Sequence, residues 1–214
     1  NGSGVLTLSS SPATATTPYN VKAADFDKDG DIDLVAANYG SSSVSILLNN
    51  GNGTFAAKVD YTTLANPNDV VVGDIDKDGD IDVVVSLATG SGGLSVLKNN
   101  GNGTFAAKVD YSYPSSARGL EAADFDNDGD VDIAIHAIDE LKVYYNNGSG
   151  TFSGDRRFFS EYPIISLGYP KKTVDYDADG DLDIVYGGGD DYLTIGTNDS
   201  GGQFTFKKIY NYTA

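Results

Sequence analysis

Four stretches of this chain carry carboxylates at a spacing suited to one kind of chemistry: DFDKDGDID at 25–33, DIDKDGDID at 74–82, DFDNDGDVD at 124–132 and DYDADGDLD at 175–183. In each, aspartates at loop positions 1, 3, 5 and 9 surround a glycine at position 6. A hard cation such as Ca²⁺ takes about six to eight oxygens at about 2.3 to 2.6 Å, and alternating aspartates on a tightly turning loop can aim several carboxylates at one centre. The predicted ligands are Asp25, Asp27, Asp29 and Asp33, then Asp74, Asp76, Asp78 and Asp82, then Asp124, Asp126, Asp128 and Asp132, and finally Asp175, Asp177, Asp179 and Asp183. Position 7 (Asp31, Asp80, Asp130, Asp181) is expected to offer its backbone carbonyl, with the side chain outside the metal's immediate shell. The apolar residue at position 8 (Ile32, Ile81, Val131, Leu182) is expected to pin the loop to a core. Four Ca²⁺ sites are therefore predicted. A helix–loop–helix calcium site shares the opening D-x-D-x-D-G but requires a bidentate Glu at position 12, which is missing here, and the flanks are β-branched.

Strands must position these loops. The first aspartates fall at 25, 74, 124 and 175, a period of about 50 residues that marks a repeat architecture. Each unit reads as apolar strand, acidic loop, apolar strand, polar loop, third strand, Asn-Gly turn and fourth strand. In the second unit these strands are expected at 69–74, 81–86, 94–97 and 104–111. Asn50-Gly51, Asn100-Gly101 and Asn147-Gly148 supply the positive φ of tight hairpin turns. The segment NNGNGTFAAKVDY occurs twice, at 49–61 and 99–111, as a recent duplication would leave it. Four strands per unit is one propeller blade. The fold class is thus all-β: a β-propeller-type array of four four-stranded blades, a single domain over 1–214 with blades at about 18–61, 68–111, 118–158 and 168–212.

With its four D-x-D-x-D-G-x-x-D loops at this period and its GTF turns, the chain resembles the FG-GAP or VCBS repeats, whose blades build the integrin α-subunit propeller, many secreted bacterial proteins and some lectins. The resemblance spans nearly the whole chain. It implies that the acidic loop joins the first and second strands of each blade, and that the aspartates named above are calcium ligands. The Phe-Gly and Gly-Ala-Pro signatures of the integrin version are missing, which makes the VCBS style the nearer match. Such propellers usually close with more blades than four. The N-terminus also offers a surplus strand: 1–4 copy the turn at 147–150, so 1–10 reads as an extra outer strand. That strand is the remnant of a lost blade, a donor to a neighbouring molecule, or a fifth member of the last blade.

Composition excludes several classes. The net charge is −17, but 20 of the 31 acidic residues lie in the four loops, leaving 11 acids against 14 bases elsewhere. Acidity is a property of the metal sites, and no basic patch suggests nucleic acid. There is no Cys, Met or Trp, and no apolar run approaches the roughly 18 residues of a membrane span. Carboxylate-rich modular sites suit extracellular calcium, so a secreted or cell-surface location is expected. A chain that opens at Asn1 and holds no methionine points to a processed product or a fragment.

Catalytic chemistry finds little support. His136 is the one histidine and follows an alternating strand, no cysteine nucleophile exists, and nothing in the spacing of Glu140, Glu161, Asp190 and Asp191 selects an acid pair. Binding is better served, because the loops opposite the acidic turns (38–43, 87–93, 136–140, 187–191) and the interblade segments (10–20, 62–67, 112–118, 160–170) differ most between units. They offer Tyr19, Tyr39, Tyr113, Arg118, Tyr162 and Tyr169 for stacking on and bonding to sugars. The expected function is an extracellular, non-enzymatic, calcium-stabilised adhesion or carbohydrate-binding module with a glycan or protein ligand on that face. Two alternatives stand beside it: a structural subunit of a filament or oligomer self-assembled through 1–10, and a non-catalytic or lyase-associated propeller of a polysaccharide-active enzyme.

Overall fold

The computed structural model describes residues 11–88, 93–113, 117, 119–136, 140–159, 171–187, 192–199 and 201–210. The expected extra strand at 1–10, Arg118, Tyr162, Tyr169, Glu161, Asp190 and Asp191 lie outside the described residues.

Alternating β-branched and aromatic residues, interrupted by Asp-Gly and Asn-Gly turns, give four antiparallel sheets of four strands each. Blade 1 holds β1 (Pro18–Ala24), β2 (Asp33–Asn38), β3 (Ser43–Leu47) and β4 (Val59–Thr62). Blade 2 holds β5 (Pro67–Gly73), β6 (Asp82–Leu87), β7 (Gly93–Leu97) and β8 (Val109–Ser112). Blade 3 is β9 (Gly119–Ala123), β10 (Asp132–His136), β11 (Glu140–Asn146) and β12 (Phe152–Phe159). Blade 4 is β13 (Lys171–Val174), β14 (Asp183–Gly187), β15 (Tyr192–Asp199) and β16 (Gln203–Tyr210). The strands of each sheet follow sequence order, so every blade is a meander. The all-β array of four-stranded blades is the one the repeat predicts.

The middle strands are buried on both faces, and three apolar clusters form between consecutive blades. Between blades 1 and 2, Phe26, Val35 and Val44 meet Val70, Val85, Leu97 and Phe105. Between blades 2 and 3, Ile75, Val84 and Leu94 meet Leu120, Ile135, Tyr144 and Phe152. Phe125, Leu141 and Val143 meet Ile184, Tyr186 and Phe204 at the third joint.

The fourth strand of blade 2 is shorter than the expected 104–111. Phe105 makes only an isolated bridge to Asn99, and β8 begins at Val109. The reason is Phe105 itself: its ring turns onto the preceding blade, edge-on to Phe26 at 5.6 Å and to Tyr61 at 5.4 Å. The pinning residue of the acidic loop also differs from expectation. Ile81 and Val131 are partly buried against a core, but Ile32 is 54% exposed. The fully buried loop residue sits at position 2 instead, as Phe26, Ile75 and Phe125.

Candidate metal centres and an interblade groove

Each acidic loop is a left-handed turn at position 4 followed by a second positive φ at the position-6 glycine. Lys28, Lys77, Asn127 and Ala178 have φ of 61°, 60°, 60° and 62°, and Gly30 and its counterparts lie between 86° and 98°. Only glycine adopts the second angle without strain. One oxygen of the first aspartate closes the turn: the Gly30, Gly79, Gly129 and Gly180 amides donate to Asp25, Asp74, Asp124 and Asp175 at 3.0, 3.0, 2.9 and 3.2 Å.

The ninth aspartate is a staple. Asp33 Oδ2 accepts from the Phe26 amide (2.8 Å) and its Oδ1 from the Asn49 amide (2.7 Å). Asp82, Asp132 and Asp183 repeat both bonds, with the amides of Ile75 and Asn99, Phe125 and Asn146, and Tyr176 and Asn198. All four carboxylates are fully buried. Burial, reinforced by nearby aspartates and only partly offset by the amides, raises Asp33, lifts Asp82 to about 6 and Asp132 to about 7.

Carboxylates of each loop converge, and in the third and fourth loops the stapling aspartate is one of them. Oxygens of Asp25, Asp27 and Asp29 lie within 4.8 Å of one another, as do those of Asp74, Asp76 and Asp78, of Asp124, Asp126 and Asp132, and of Asp175, Asp177 and Asp183. Asp25 Oδ1, Asp76 Oδ1 and Asp126 Oδ1 are buried with no hydrogen-bond partner. A buried anionic oxygen without a donor is costly, and a hard divalent cation would relieve it in all three loops. The donor set therefore fits Ca²⁺.

The position-7 side chains turn away from these clusters to the neighbouring blade. Lys28 pairs with Asp80, Lys77 with Asp130, and Asn127 Nδ2 donates to Asp181 Oδ1 at 2.5 Å. Sequence reasoning missed this use of positions 4 and 7, because a partner about 50 residues away leaves no local pattern. It also missed Asn99, Asn146 and Asn198. Each of these side chains reaches back to the position-2 carbonyl of the preceding blade, Phe26 (2.8 Å), Ile75 (2.7 Å) and Phe125 (2.8 Å).

Of the expected ligand-face residues, Tyr19 and Tyr39 do pair, with ring centroids 5.3 Å apart and Tyr19 largely exposed. Tyr113 corrects the expectation. It is 1% exposed, donates to Glu140 Oε2 at 2.8 Å, and its phenol is pushed well above its ordinary value by burial and by that carboxylate. His136 is fully buried, with its ring 4.5 Å from that of Tyr186.

Beside Tyr113 lies a feature no sequence pattern announced, a groove of about 330 Å³ between the outer strands of blades 2 and 3. Asp110, Ser112, Ser153 and Asp155 stand along it, with Tyr144 and Lys142 behind them. Lys142 is 4% exposed; its ammonium pairs with Asp155 and lies 4.0 Å from the centroid of the Tyr144 ring. The same place on the middle strand is Ser45 in blade 1, Ser95 in blade 2 and Thr194 in blade 4.

A profile of the FG-GAP-like repeat matches residues 25–85 and 84–135. A search of curated proteins finds no match. Among solved structures, an Agrocybe aegerita lectin described for its specific recognition of non-reducing terminal N-acetylglucosamine aligns with a TM-score of 0.64 at 25% identity. That alignment covers 89% of this chain and 51% of the lectin, so the chain spans about half the lectin's length. BBS1N in complex with ARL6DN aligns at 0.58 with 13% identity, over 93% of this chain and 58% of that one. The Photorhabdus luminescens Tc holotoxin pore aligns at 0.51 with 18% identity, over 96% and 10%. The last two likenesses bear on the fold alone.

Proposed function

The chain belongs to the FG-GAP-like repeat family, and from that premise we propose that it is an extracellular, non-enzymatic, calcium-stabilised module that binds carbohydrate. The metal would be held in the four acidic loops, by Asp25, Asp27 and Asp29 with their counterparts and by the stapling aspartates. Calcium there would supply structure: it would neutralise crowded carboxylates and fix the loop end of every blade. The likeness to a lectin supports a glycan ligand, and among the described residues no helix is long and apolar enough to cross a membrane.

The observation that carries the reading is Lys142 behind the groove between blades 2 and 3. Two carboxylates and two hydroxyls along the groove match the donors and acceptors of sugar hydroxyls, with an ammonium behind as a further donor. A buried ammonium needs compensation that a hydroxyl does not, and the other blades fill this position without one. The repeat's own residue therefore makes a clean test. Lys142→Ser should melt like the parent in calcium, because Ser45 and Ser95 serve at this position, yet lose at least about tenfold in affinity for the best ligand on a glycan array, the worth of a charge-assisted hydrogen bond. Silence of the parent protein across a broad panel refutes carbohydrate binding. Unchanged affinity of the variant refutes the groove as its site.

A further inference from the structure

In every repeat the stapling aspartate bonds the backbone amide of an asparagine, Asn49, Asn99, Asn146 or Asn198. The residue just before that asparagine differs each time: Leu48, Lys98, Tyr145 and Thr197. In the first three blades it supports the turn glycine of the following blade. A Cβ added at Gly103 would meet Leu48 Cδ2 and then Asp27, one at Gly150 would meet Lys98 Cε and Nζ and then Asp76, and one at Gly202 would meet the Tyr145 hydroxyl. The packing is shared and the chemistry is not. Leu48 brings no polar atom, Tyr145 donates its hydroxyl to Gly202 O at 2.7 Å, and Lys98 brings a charge.

That charge falls on a metal ligand. Lys98 Nζ lies 3.1 Å from Asp76 Oδ2 and donates to Ser149 O at 2.5 Å. Asp76 Oδ1 is buried without a hydrogen-bond partner, and the same carboxylate converges with Asp74 and Asp78. Among the described residues no cation pairs with the matching Asp27, Asp126 or Asp177. Arg156 acts on Asp126 from beyond ion-pair range, because its guanidinium donates to Gly201 O and lies over the Tyr145 ring. The position-4 lysines do not separate the loops in this way. Lys28 on Asp80 and Lys77 on Asp130 place one ammonium at position 7 of the second loop and one at position 7 of the third, while Asp181 of the fourth takes the uncharged Asn127 amide. Even an ammonium at position 7 of every loop would leave the second loop ahead by the one at position 3.

We infer that Lys98 makes the second acidic loop the weakest calcium site of the array. The inference rests on the calcium reading above and deepens it, ranking sites that the repeated D-x-D-x-D-G-x-x-D pattern presents as equal. A cation held by Asp74, Asp76 and Asp78 meets the ammonium across a single carboxylate, where like charges repel through partly screened surroundings. The second loop should therefore bind calcium about tenfold more weakly than its neighbours, a modest fraction of the unscreened repulsion. Without calcium, Lys98 serves the same loop as its counter-ion.

The test is calorimetric titration of calcium into the calcium-stripped full chain, for the parent, Lys98→Leu and Leu48→Lys. Each variant gives one blade the residue its neighbour carries at that place, and melting in saturating calcium checks that it folds. Lys98→Gln, which keeps a donor for Asp76 and Ser149 and drops only the charge, repeats the first measurement independently of packing. The parent should show one dissociation constant about tenfold weaker than the rest, and both Lys98 variants should tighten it by about that factor with the number of bound ions unchanged. Leu48→Lys, which sets an ammonium beside Asp27, should create a second weak site. Calcium binding whose weakest constant stays within about twofold of the parent in both Lys98 variants overturns this inference and leaves the calcium reading standing, as do equal constants in the parent. A parent that takes up no calcium overturns the calcium reading and this inference with it.

Discussion

Replacing Asn146 with alanine is expected to cost the folded state about 2 to 4 kcal/mol, while the same change at Asn49 costs less than about 1 kcal/mol. Both residues stand before the Asn-Gly turn of their repeat or on it, and both spend their backbone amide on the stapling aspartate, a bond alanine keeps. The side chains differ. Asn146 is 5% exposed and its Nδ2 serves two carbonyls, Ile75 O across the joint at 2.7 Å and Val131 O at 3.0 Å. Removing it strands acceptors in an interior that admits no ready substitute, at about 1 to 2 kcal/mol each. Asn49 Nδ2 serves only Ile32 O, an exposed carbonyl that water can satisfy. Denaturant unfolding of the two variants in saturating calcium measures the difference, with unchanged m-values as the check that cooperativity survives. Equal losses would refute the claim that these amides hold blade to blade and would reduce them to turn chemistry.

Three further outcomes are expected. Chelating calcium with EGTA should lower the melting temperature by many degrees, because four sites at tenfold their dissociation constant together contribute about 5 to 6 kcal/mol; coincident curves would remove the metal from the account. In EGTA, stability should rise as pH falls from 8 to 5. Asp132 at about 7 and Asp82 at about 6 sit above the ordinary 3.8 in the folded chain, so the native state binds more protons than the unfolded one until the pH nears that ordinary value. Calcium should invert the trend, since protons then compete with the ligand, and a calcium-free melting temperature lower at pH 5 than at pH 8 contradicts the burial argument. Gly93→Ala should destabilise by about 2 kcal/mol or more, because Gly93 has φ +133° and an added Cβ would overlap the Tyr111 carbonyl. Gly154→Ala, where a Cβ meets nothing within 4 Å, should stay within about 0.5 kcal/mol of the parent.

What the sequence discloses and what it hides divide by range. The acidic loops are local objects: their turn, their glycine and their converging carboxylates all lie within nine residues, so D-x-D-x-D-G-x-x-D could be read directly. The meander was legible for the same reason, as β-branched runs with turn residues between them. The joints were not, because their partners lie from 41 residues apart, for Tyr111 and Phe152, to 79 apart, for Phe26 and Phe105. Asn99 stands only inside the duplicated segment 99–111, Phe105 inside the strand expected at 104–111, and Lys28 at a loop position that drew no reading. Each has its main partner on another blade. Tyr113 misled in the opposite sense, since an aromatic between blades resembles a ligand platform until Glu140 and the preceding core close over it. Gly93 ended a Ser-Gly-Gly stretch that read as a variable loop, yet it is held by a pairing with Ser112 that only glycine tolerates.

The same contrast is the ground of the proposed binding site. Blades 1 and 2 share one solution at the middle strand: Ser45 and Ser95 each bond an aspartate of the fourth strand, Asp60 and Asp110, at 2.6 Å. Blade 3 keeps every element of the joint, with Asn146 on Ile75, Asp130 on Lys77 and Phe152 against Tyr111. It abandons the serine. Lys142 takes its place, paired with Asp155 and set against the Tyr144 and Tyr113 rings, while Glu140 accepts from Tyr113 and lies near Arg157. Assembly of the blade does not require that exchange, for the neighbouring blades assemble without it, and desolvating an ammonium makes the interior harder to stabilise. On the proposed reading this departure from the repeat serves a ligand in the groove that Lys142 backs, and Lys142→Ser is the variant that tests it.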